Sequence, residues 1–407
     1  MAADPKEQRI RDPVHGLIVF SINDPFDQLI WRLINTREFQ RLRRIKQLGF
    51  SELVYPGATH TRFSHSVGVF HTARQLVSVI QKILKKKGET IDESRARISI
   101  CAALLHDIGH GPFSHAFEDV LAPKKKHEKW TVEIIRGETE VHSLLEEQTE
   151  FPGLGDGVAT LLNKEQPTDI YSSIVSSQFD ADRLDYLRRD KLFTGTEQGG
   201  FDWDWLLNNL DIADITIGGD GKEDPFQVAG LVLGSKAQAA AEGYLLGRFH
   251  LYTQVYFHKT TRGAEKMLSA LLRLLVDVLR SEPESAGLTE NHPLRKYFFD
   301  KGQTLRNYLD LDDTTIWGAL PLLRDSKNSE ISQLASRLIS RNVYQCLDIG
   351  ELARIRGGDS RSQFKLKLGN ARSSDEIATL DVLVDEGAKI SAYGRYDYES
   401  PEAFKKV

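Results

Sequence analysis

Ala103-Leu-Leu-His-Asp-Ile-Gly-His-Gly-Pro-Phe-Ser-His115 sets an adjacent imidazole and carboxylate, His106 and Asp107, at the end of an apolar run. Neither residue type is stable against a hydrophobic segment unless it is paired or bound to something. Two further candidates complete a metal set: His65 upstream in Thr61-Arg-Phe-Ser-His-Ser-Val-Gly68, and Asp182 downstream in Gln178-Phe-Asp-Ala-Asp-Arg-Leu-Asp-Tyr186. Two neutral imidazoles and two carboxylates make a mixed nitrogen/oxygen shell suited to one divalent Mn, Fe, Zn or Co ion. Four protein ligands on a six-coordinate ion leave room for a water and a substrate oxygen, as metal-assisted hydrolysis requires.

The surrounding pattern predicts a mostly α fold. Val67, Phe70, Leu76, Val77, Ile80, Ile83 and Leu84 recur at three- and four-residue spacing, and Gly88 can stop that helix. Ile98, Cys101, Ala102, Leu104 and Leu105 mark a second helix, which delivers His106 and Asp107 before Gly109. Successive helical residues point about 100° apart, so the pair meets one ion only near the edge of a face. A long pattern from Ala237 to Leu279 reads as one or two more helices, and the turn chemistry within Ile215–Leu233 reads as a hairpin. Ser281–Gly287 is a loop. Beyond Asn328 the style changes: Gln363–Leu368 alternates, Ile377–Val384 is largely apolar, and Lys389–Tyr393 follows a glycine. Residues 1–327 are therefore expected to form one large domain, with the metal site within 50–190, and 328–407 a small C-terminal α/β lobe.

With 407 residues, 40% hydrophobic and 27% charged, the composition is that of an ordinary globular protein with ample length for a core. The net charge of −5 argues against non-specific nucleic-acid binding as the main activity, though a basic pocket on an acidic surface still suits an anionic substrate. Only Cys101 and Cys346 occur, too few for a disulfide framework. Met1-Ala-Ala-Asp-Pro-Lys-Glu-Gln-Arg9 holds no apolar signal region, and no run approaches membrane-spanning length. A soluble, cytoplasmic protein without a membrane partner is expected. Lys85–Lys87 and Lys124–Lys126 read as solvated surface.

A second constellation is cationic. Arg62 lies three residues before His65, Arg183 directly follows Asp182, and Arg248 and Lys259 share the long helical pattern with Tyr252, Tyr256 and His258. Guanidinium groups suit bidentate phosphate contacts, so several near a metal imply a phosphorylated substrate. A lone histidine on an apolar helix is usually a satisfied core residue. His110, His115 and His127 keep that alternative, as supporting or helix-terminus groups.

Five strings in order then narrow the reading: Asp12-Pro-Val-His-Gly16, Phe39–Gly49, Tyr55–His65, Leu105–His115 and Asp180–Asp190. Together they resemble the HD-domain phosphohydrolases, and among them the deoxynucleoside triphosphate triphosphohydrolases, including members that join a sterile-alpha-motif to an HD domain. The resemblance runs from about residue 10 to about residue 265. It implies cleavage of a dNTP between the 5′ oxygen and the α-phosphorus, with His65, His106, Asp107 and Asp182 as metal ligands. It implies His115 as general acid oriented by Glu118, with His110, His127 and Glu128 lining the pocket. Arg62, Arg183, Arg248 and Tyr186 are then expected to grip the triphosphate, with Mg accompanying it. Gln47 and Asp190 are expected at the 3′-hydroxyl, and Tyr256 at the sugar's 2′ position. A homo-oligomer, dimer or tetramer, with an allosteric nucleotide is also implied.

Three positions depart from the family pattern. Phe257 stands where a Gln near the base is often found, and Tyr252 where a His is found, so base preference stays open. At the guanine-reading regulatory site Gln40 and Arg43 are kept, but Asn35 replaces an Asp. That exchange loses a charge-assisted acceptor and speaks against strict GTP activation. Two rival readings remain: a phosphohydrolase or phosphodiesterase for another nucleotide or single-stranded nucleic acid, and a catalytically idle nucleotide sensor.

Overall fold

The turn Pro13-Val-His15 and Gly16, whose φ is +74°, closes a hairpin of β1 (Gln8–Asp12) and β2 (Gly16–Phe20), paired antiparallel from Gln8↔Phe20 to Asp12↔Gly16. The computed structural model describes residues 7–118, 120, 124–163, 167–197, 200–217, 226–299 and 301–344, and these are mostly helical. The first helices are α1 (Pro25–Ile34), α2 (Arg37–Arg41), α3 (Arg62–Lys86), α4 (Glu93–Leu105) and the short α5 (His115–Glu118). Then come α6 (His127–Arg136), α7 (Glu140–Glu147), α8 (Leu154–Leu162), α9 (Ala181–Thr194) and α10 (Trp203–Asn208). A second hairpin, β3 (Leu210–Ile217) with β4 (Phe226–Leu233), starts five residues before the stretch whose turn chemistry marks it.

The pattern from Ala237 to Leu279 resolves into two helices, α11 (Gln238–Leu251) and α12 (Lys259–Ser281). Between them a π turn spans Tyr252–Tyr256, where the amide of Phe257 bonds the carbonyl of Tyr252 at 3.0 Å. The remaining helices are α13 (Pro293–Phe298), α14 (Leu305–Leu309), α15 (Asp313–Arg324) and α16 (Ser329–Ile339). Helix α16, at the start of the expected C-terminal lobe, packs on α12 and α15. The rest of that lobe, from 345 onward with the stretches Gln363–Leu368, Ile377–Val384 and Lys389–Tyr393 and with Cys346, lies outside the described residues.

Helices α3, α4 and α9 form the scaffold of the site. The α3 stripe predicted from spacing buries Val67, Phe70, Leu76 and Ile80, each contributing about 1.5–3 kcal/mol, while α4 buries the whole run Ile100–Leu105 between α3 and α8. Helix α3 stops at Lys86, and Gly88 follows with φ +77°. On the α9 side of α3, Gly68 leaves no room for a side chain: a Cβ there collides with the Asp185 carboxylate and the Arg189 guanidinium. A second apolar cluster gathers Phe50, Phe113, Phe117 and Trp130 around α12, α13, α15 and α16. Cys101 is buried, and that burial pushes its thiol up to about 12. No helix among the described residues is long and apolar enough to cross a membrane.

Candidate active site

Helix α4 ends at Leu105, so His106 is its C-cap and Asp107 belongs to the following turn, closed by the His110 amide on the Asp107 carbonyl at 3.0 Å. The pair therefore leaves the helix rather than sharing the edge of a helical face. The turn fits because Gly109 lies where a Cβ would strike the backbone of His127 and Thr131. His65 lies in the first turn of α3 and Asp182 in the first turn of α9, whose N-cap Asp180 accepts the Arg183 amide at 2.8 Å.

These elements bring the four expected ligands together. His65 Nε2 is 3.0 Å from Asp182 Oδ1 and 3.8 Å from Asp107 Oδ2. His106 Nε2 is 3.4 Å from Asp107 Oδ1 and 3.7 Å from Asp182 Oδ1. Metal–ligand bonds of ~2.0–2.2 Å hold neighbouring donor atoms about 3 Å apart, so His65, His106 and Asp107 cluster close to ligating spacing, with Asp182 set against both imidazoles. His106 supplies the test of fit. Its Nδ1 bonds the Ala103 carbonyl at 2.9 Å, which directs the Nε2 lone pair inward, and that Nε2 is buried without a hydrogen-bond partner among the described residues. A divalent ion satisfies it. Asp107, His110 and His127 form a second donor group that shares Asp107 with the first.

Asp185 is the residue the sequence reading passed over. It lies one position before Tyr186 on α9, fully buried, and its Oδ2 meets His65 Nδ1 at 2.8 Å. Arg189 grips both its oxygens at 2.8 and 2.9 Å, and His15 Nε2 meets Oδ1 at 2.6 Å. Arg189 in turn holds Asp12 at 2.8 and 3.2 Å, so the turn of the first hairpin buttresses the site. Burial disfavours the Asp185 anion, but Arg189, His15 and His65 outweigh it and hold the carboxyl well below its usual range. Burial likewise lowers His65, but its bonds to Asp182 and Asp185 overcome this and push it up to about 10. The proton so favoured sits where a cation binds, and metal binding releases it. Asp185→Asn is expected to weaken metal affinity about 10- to 100-fold, since groups that orient metal-bound histidines are worth that much. Chelator competition checks this, and unchanged affinity contradicts the orienting role.

Asp107 is anchored from its other side. Arg62 Nη1 donates to its Oδ2 at 2.5 Å and Arg62 Nη2 to Ser114 Oγ at 2.6 Å. Burial opposes the Asp107 charge, but Arg62, His106 and His110 keep the carboxyl well below its usual range. His110 Nε2 lies 3.2 Å from Asp107 Oδ1, and burial with Arg62 and His127 holds its imidazole well below the ordinary range, hence neutral. Its ring stacks on His127 at 3.7 Å. Glu118, expected to orient His115, is placed against His127: Oε1 is 2.7 Å from Nδ1 and accepts the His127 amide at 3.2 Å. Glu128 is half exposed, 3.6 Å from His127 Nδ1. His115 opens α5, and its side chain lies outside the described residues.

The expected nucleoside groups gather at the far end of α9. Asp190 is buried, with His60 Nε2 at 2.7 Å on one oxygen and the Tyr256 hydroxyl donating to the other at 2.5 Å. Tyr256 meets Tyr186 and Tyr252 edge-on, with centroids 6.2 and 4.9 Å apart. Tyr252 borders Phe257 and lies under the Arg248 guanidinium at 5.7 Å. Gln47 Oε1 is buried with no hydrogen-bond partner among the described residues, an acceptor suited to a ligand hydroxyl. Arg183 turns elsewhere: it donates to Asp180 and to the Ser177 carbonyl at 2.9 Å. At the expected regulatory positions, Asn35 Nδ2 donates to the Trp31 carbonyl at 2.7 Å and Arg43 Nε to Gln40 Oε1 at 2.8 Å. The Arg43 guanidinium lies 3.5 Å over the Phe63 ring.

Residues 62–187 match the HD domain and residues 223–296 the HD associated region. YwfO of Bacillus subtilis is 37% identical over 84% of this chain and 72% of its own length. A Dictyostelium discoideum protein named deoxynucleoside triphosphate triphosphohydrolase SAMHD1 homolog is 26% identical over 98% of this chain and 73% of its own. The chain spans only 55–60% of three further curated relatives. Among solved structures, a Bacteroides thetaiotaomicron phosphohydrolase superposes with a TM-score of 0.68 at 30% identity, covering 88% of this chain and 86% of that one. The His-Asp centre, the matched domain and these relatives place the chain in the HD-domain family related to the deoxynucleoside triphosphate triphosphohydrolases.

Proposed function

We propose that the chain is a metal-dependent dNTP triphosphohydrolase, converting dNTP and water to deoxynucleoside and inorganic triphosphate. The observation that carries this reading is the single face of α9. Asp182, Tyr186 and Asp190 follow at four-residue spacing and so share that face. At one end Asp182 meets the metal-site histidines, and at the other Asp190 holds the Tyr256 hydroxyl and His60, whose carbonyl accepts the Gln47 amide at 3.0 Å. The site thus has a phosphate end and a hydroxyl-reading end.

His65, His106, Asp107 and Asp182 would hold one divalent metal, which would supply Lewis-acid chemistry at the α-phosphate. Arg62 fixes Asp107 as an anion, and the neutral His110 and the Glu118–His127 pair complete the wall on the Asp107 side. Arg248, Tyr186 and Arg183 grip the triphosphate, Arg183 by leaving Asp180. His115 gives a proton to the departing 5′ oxygen. Asp190 and Gln47 bind the 3′-hydroxyl, and Tyr256 fills the 2′ volume. Tyr256→Ala is accordingly expected to narrow the gap between dNTP and NTP turnover, and unchanged discrimination in a folded variant moves the sugar gate elsewhere. Regulation falls to an oligomer that responds to dNTPs, through Gln40 and Arg43, with Asn35 relaxing any strict demand for GTP.

Incubating the full chain with a panel of nucleotides, each with Mn and with Mg, tests the reading. Inorganic triphosphate from dNTPs supports it. Orthophosphate or a nucleoside monophosphate instead points to another phosphohydrolase chemistry, and no turnover with any metal points to an idle sensor.

A further inference from the structure

The first turn of α15 reaches back 200 residues or more to both expected sites. Asp312 is its N-cap, closing a capping box with Thr315, yet its Oδ2 also meets Arg44 Nε at 2.5 Å. Asp313 is the first helical residue and is buried. Its two oxygens divide between two loops: Oδ2 accepts the Lys46 amide at 2.8 Å, and Oδ1 accepts the Phe113 amide at 2.8 Å.

Each loop carries groups of the proposed site. The Lys46 loop continues from Gln40 and Arg43 and runs on to Gln47. It is laid against the start of α3, with a bridge between Lys46 and Thr61 and the Arg62 amide on the Ile45 carbonyl at 2.9 Å. The Phe113 loop leads directly into α5 and Glu118. Phe113 and Ser114 have φ of +50° and +51°, a left-handed conformation that costs a non-glycine residue energy and persists only where its surroundings enforce it. Three contacts enforce it here. Arg62 holds Ser114 Oγ, Phe113 stacks on Phe50 at 4.3 Å, and Asp313 holds the Phe113 amide.

We propose that Asp313 is a positioning residue that ties the Gln40–Gln47 segment to the strained Phe113–Ser114 turn, so that movement of the first is passed to the helix α5 that borders the metal donors. The carboxylate suits this task because both its bonds are charge-assisted and each goes to a different loop. Loosening one loop leaves the anion short of a donor and lets the other relax. This role deepens the proposed function, on which its catalytic part rests, while its mechanical part stands on geometry alone.

Hydrogen–deuterium exchange of the full chain tests the mechanical part. Asp313→Asn keeps the shape but can accept only one of the two amide bonds, and it is expected to speed exchange about tenfold or more in peptides covering both 40–48 and 109–118. Arg44→Ala, which loosens only the Asp312 side, is expected to speed exchange at 109–118 in the natural background and to add nothing there in the Asp313→Asn background. Faster exchange in only one of the two segments after Asp313→Asn, or an Arg44→Ala effect confined to 40–48, overturns the proposal. Should Asp313→Asn fail to fold, the Arg44→Ala result decides alone. In turnover, Asp313→Asn is expected to lower kcat about 10- to 100-fold with metal content and KM unchanged, the signature of misplaced groups rather than lost binding. A change in KM alone contradicts it. If the natural chain hydrolyses no nucleotide, the functional reading fails while the exchange measurement still decides the coupling.

Discussion

His106→Ala is expected to empty the metal site and abolish turnover while leaving the fold intact. The variant isolates ligation because His106 has few other duties: Nδ1 bonds one backbone carbonyl, and Nε2 has no hydrogen-bond partner among the described residues. Removing Asp107 instead strands the Arg62 guanidinium in a buried position, and breaking such a pair costs about 3–5 kcal/mol, which confuses ligation with stability. Losing one of four ligands weakens affinity by more than the ~10–100-fold that an orienting group is worth. The Lewis-acid contribution then lost is several kcal/mol, or about 10³-fold in rate at 1.4 kcal/mol per decade. Elemental analysis and turnover with added Mn check both effects. Full metal occupancy in the folded variant contradicts the assignment of His106.

His115→Ala is expected to retain its metal and bind nucleotide, yet lose turnover by ~10²–10⁴. A deoxynucleoside 5′ alkoxide is a poor leaving group and needs a proton as its bond to phosphorus breaks. The turn Gly111–Ser114 directs the chain into α5 at His115, one turn before Glu118, and Glu118 lies against His127 beside the Asp107 donor group. Helix α5 therefore begins within reach of the metal donors without His115 being one of the four. Single-turnover kinetics with a metal assay on the same sample separate chemistry from binding. Turnover within a few-fold of the natural chain passes the proton to water or His127.

What the sequence disclosed was what lies close together along the chain. The His-Asp pair and the α3 stripe are local patterns, and the four candidate metal ligands were read from their order along the chain. Asp185 was hidden because its role needs three elements at once: α3 with Gly68 clearing the space, α9, and a hairpin turn some 170 residues away at His15. Asp313 was hidden for the same reason, since Lys46 and Phe113 lie 267 and 200 residues away from it along the chain. Arg183 shows the opposite case. Its place beside Asp182 suggested phosphate binding, whereas the structure pairs it with Asp180 three residues earlier on the same helix start. The π turn at Tyr252–Tyr256 also escaped the pattern, because its apolar spacing is that of a helix with one residue inserted.

The central claim is the bond that breaks. Turnover of a single dNTP in water enriched in oxygen-18, followed by phosphorus NMR and mass analysis, tests it directly. Inorganic triphosphate carrying the heavy oxygen on one terminal phosphorus is expected, with none in the released deoxynucleoside. Label in orthophosphate, or in a nucleoside phosphate, contradicts it.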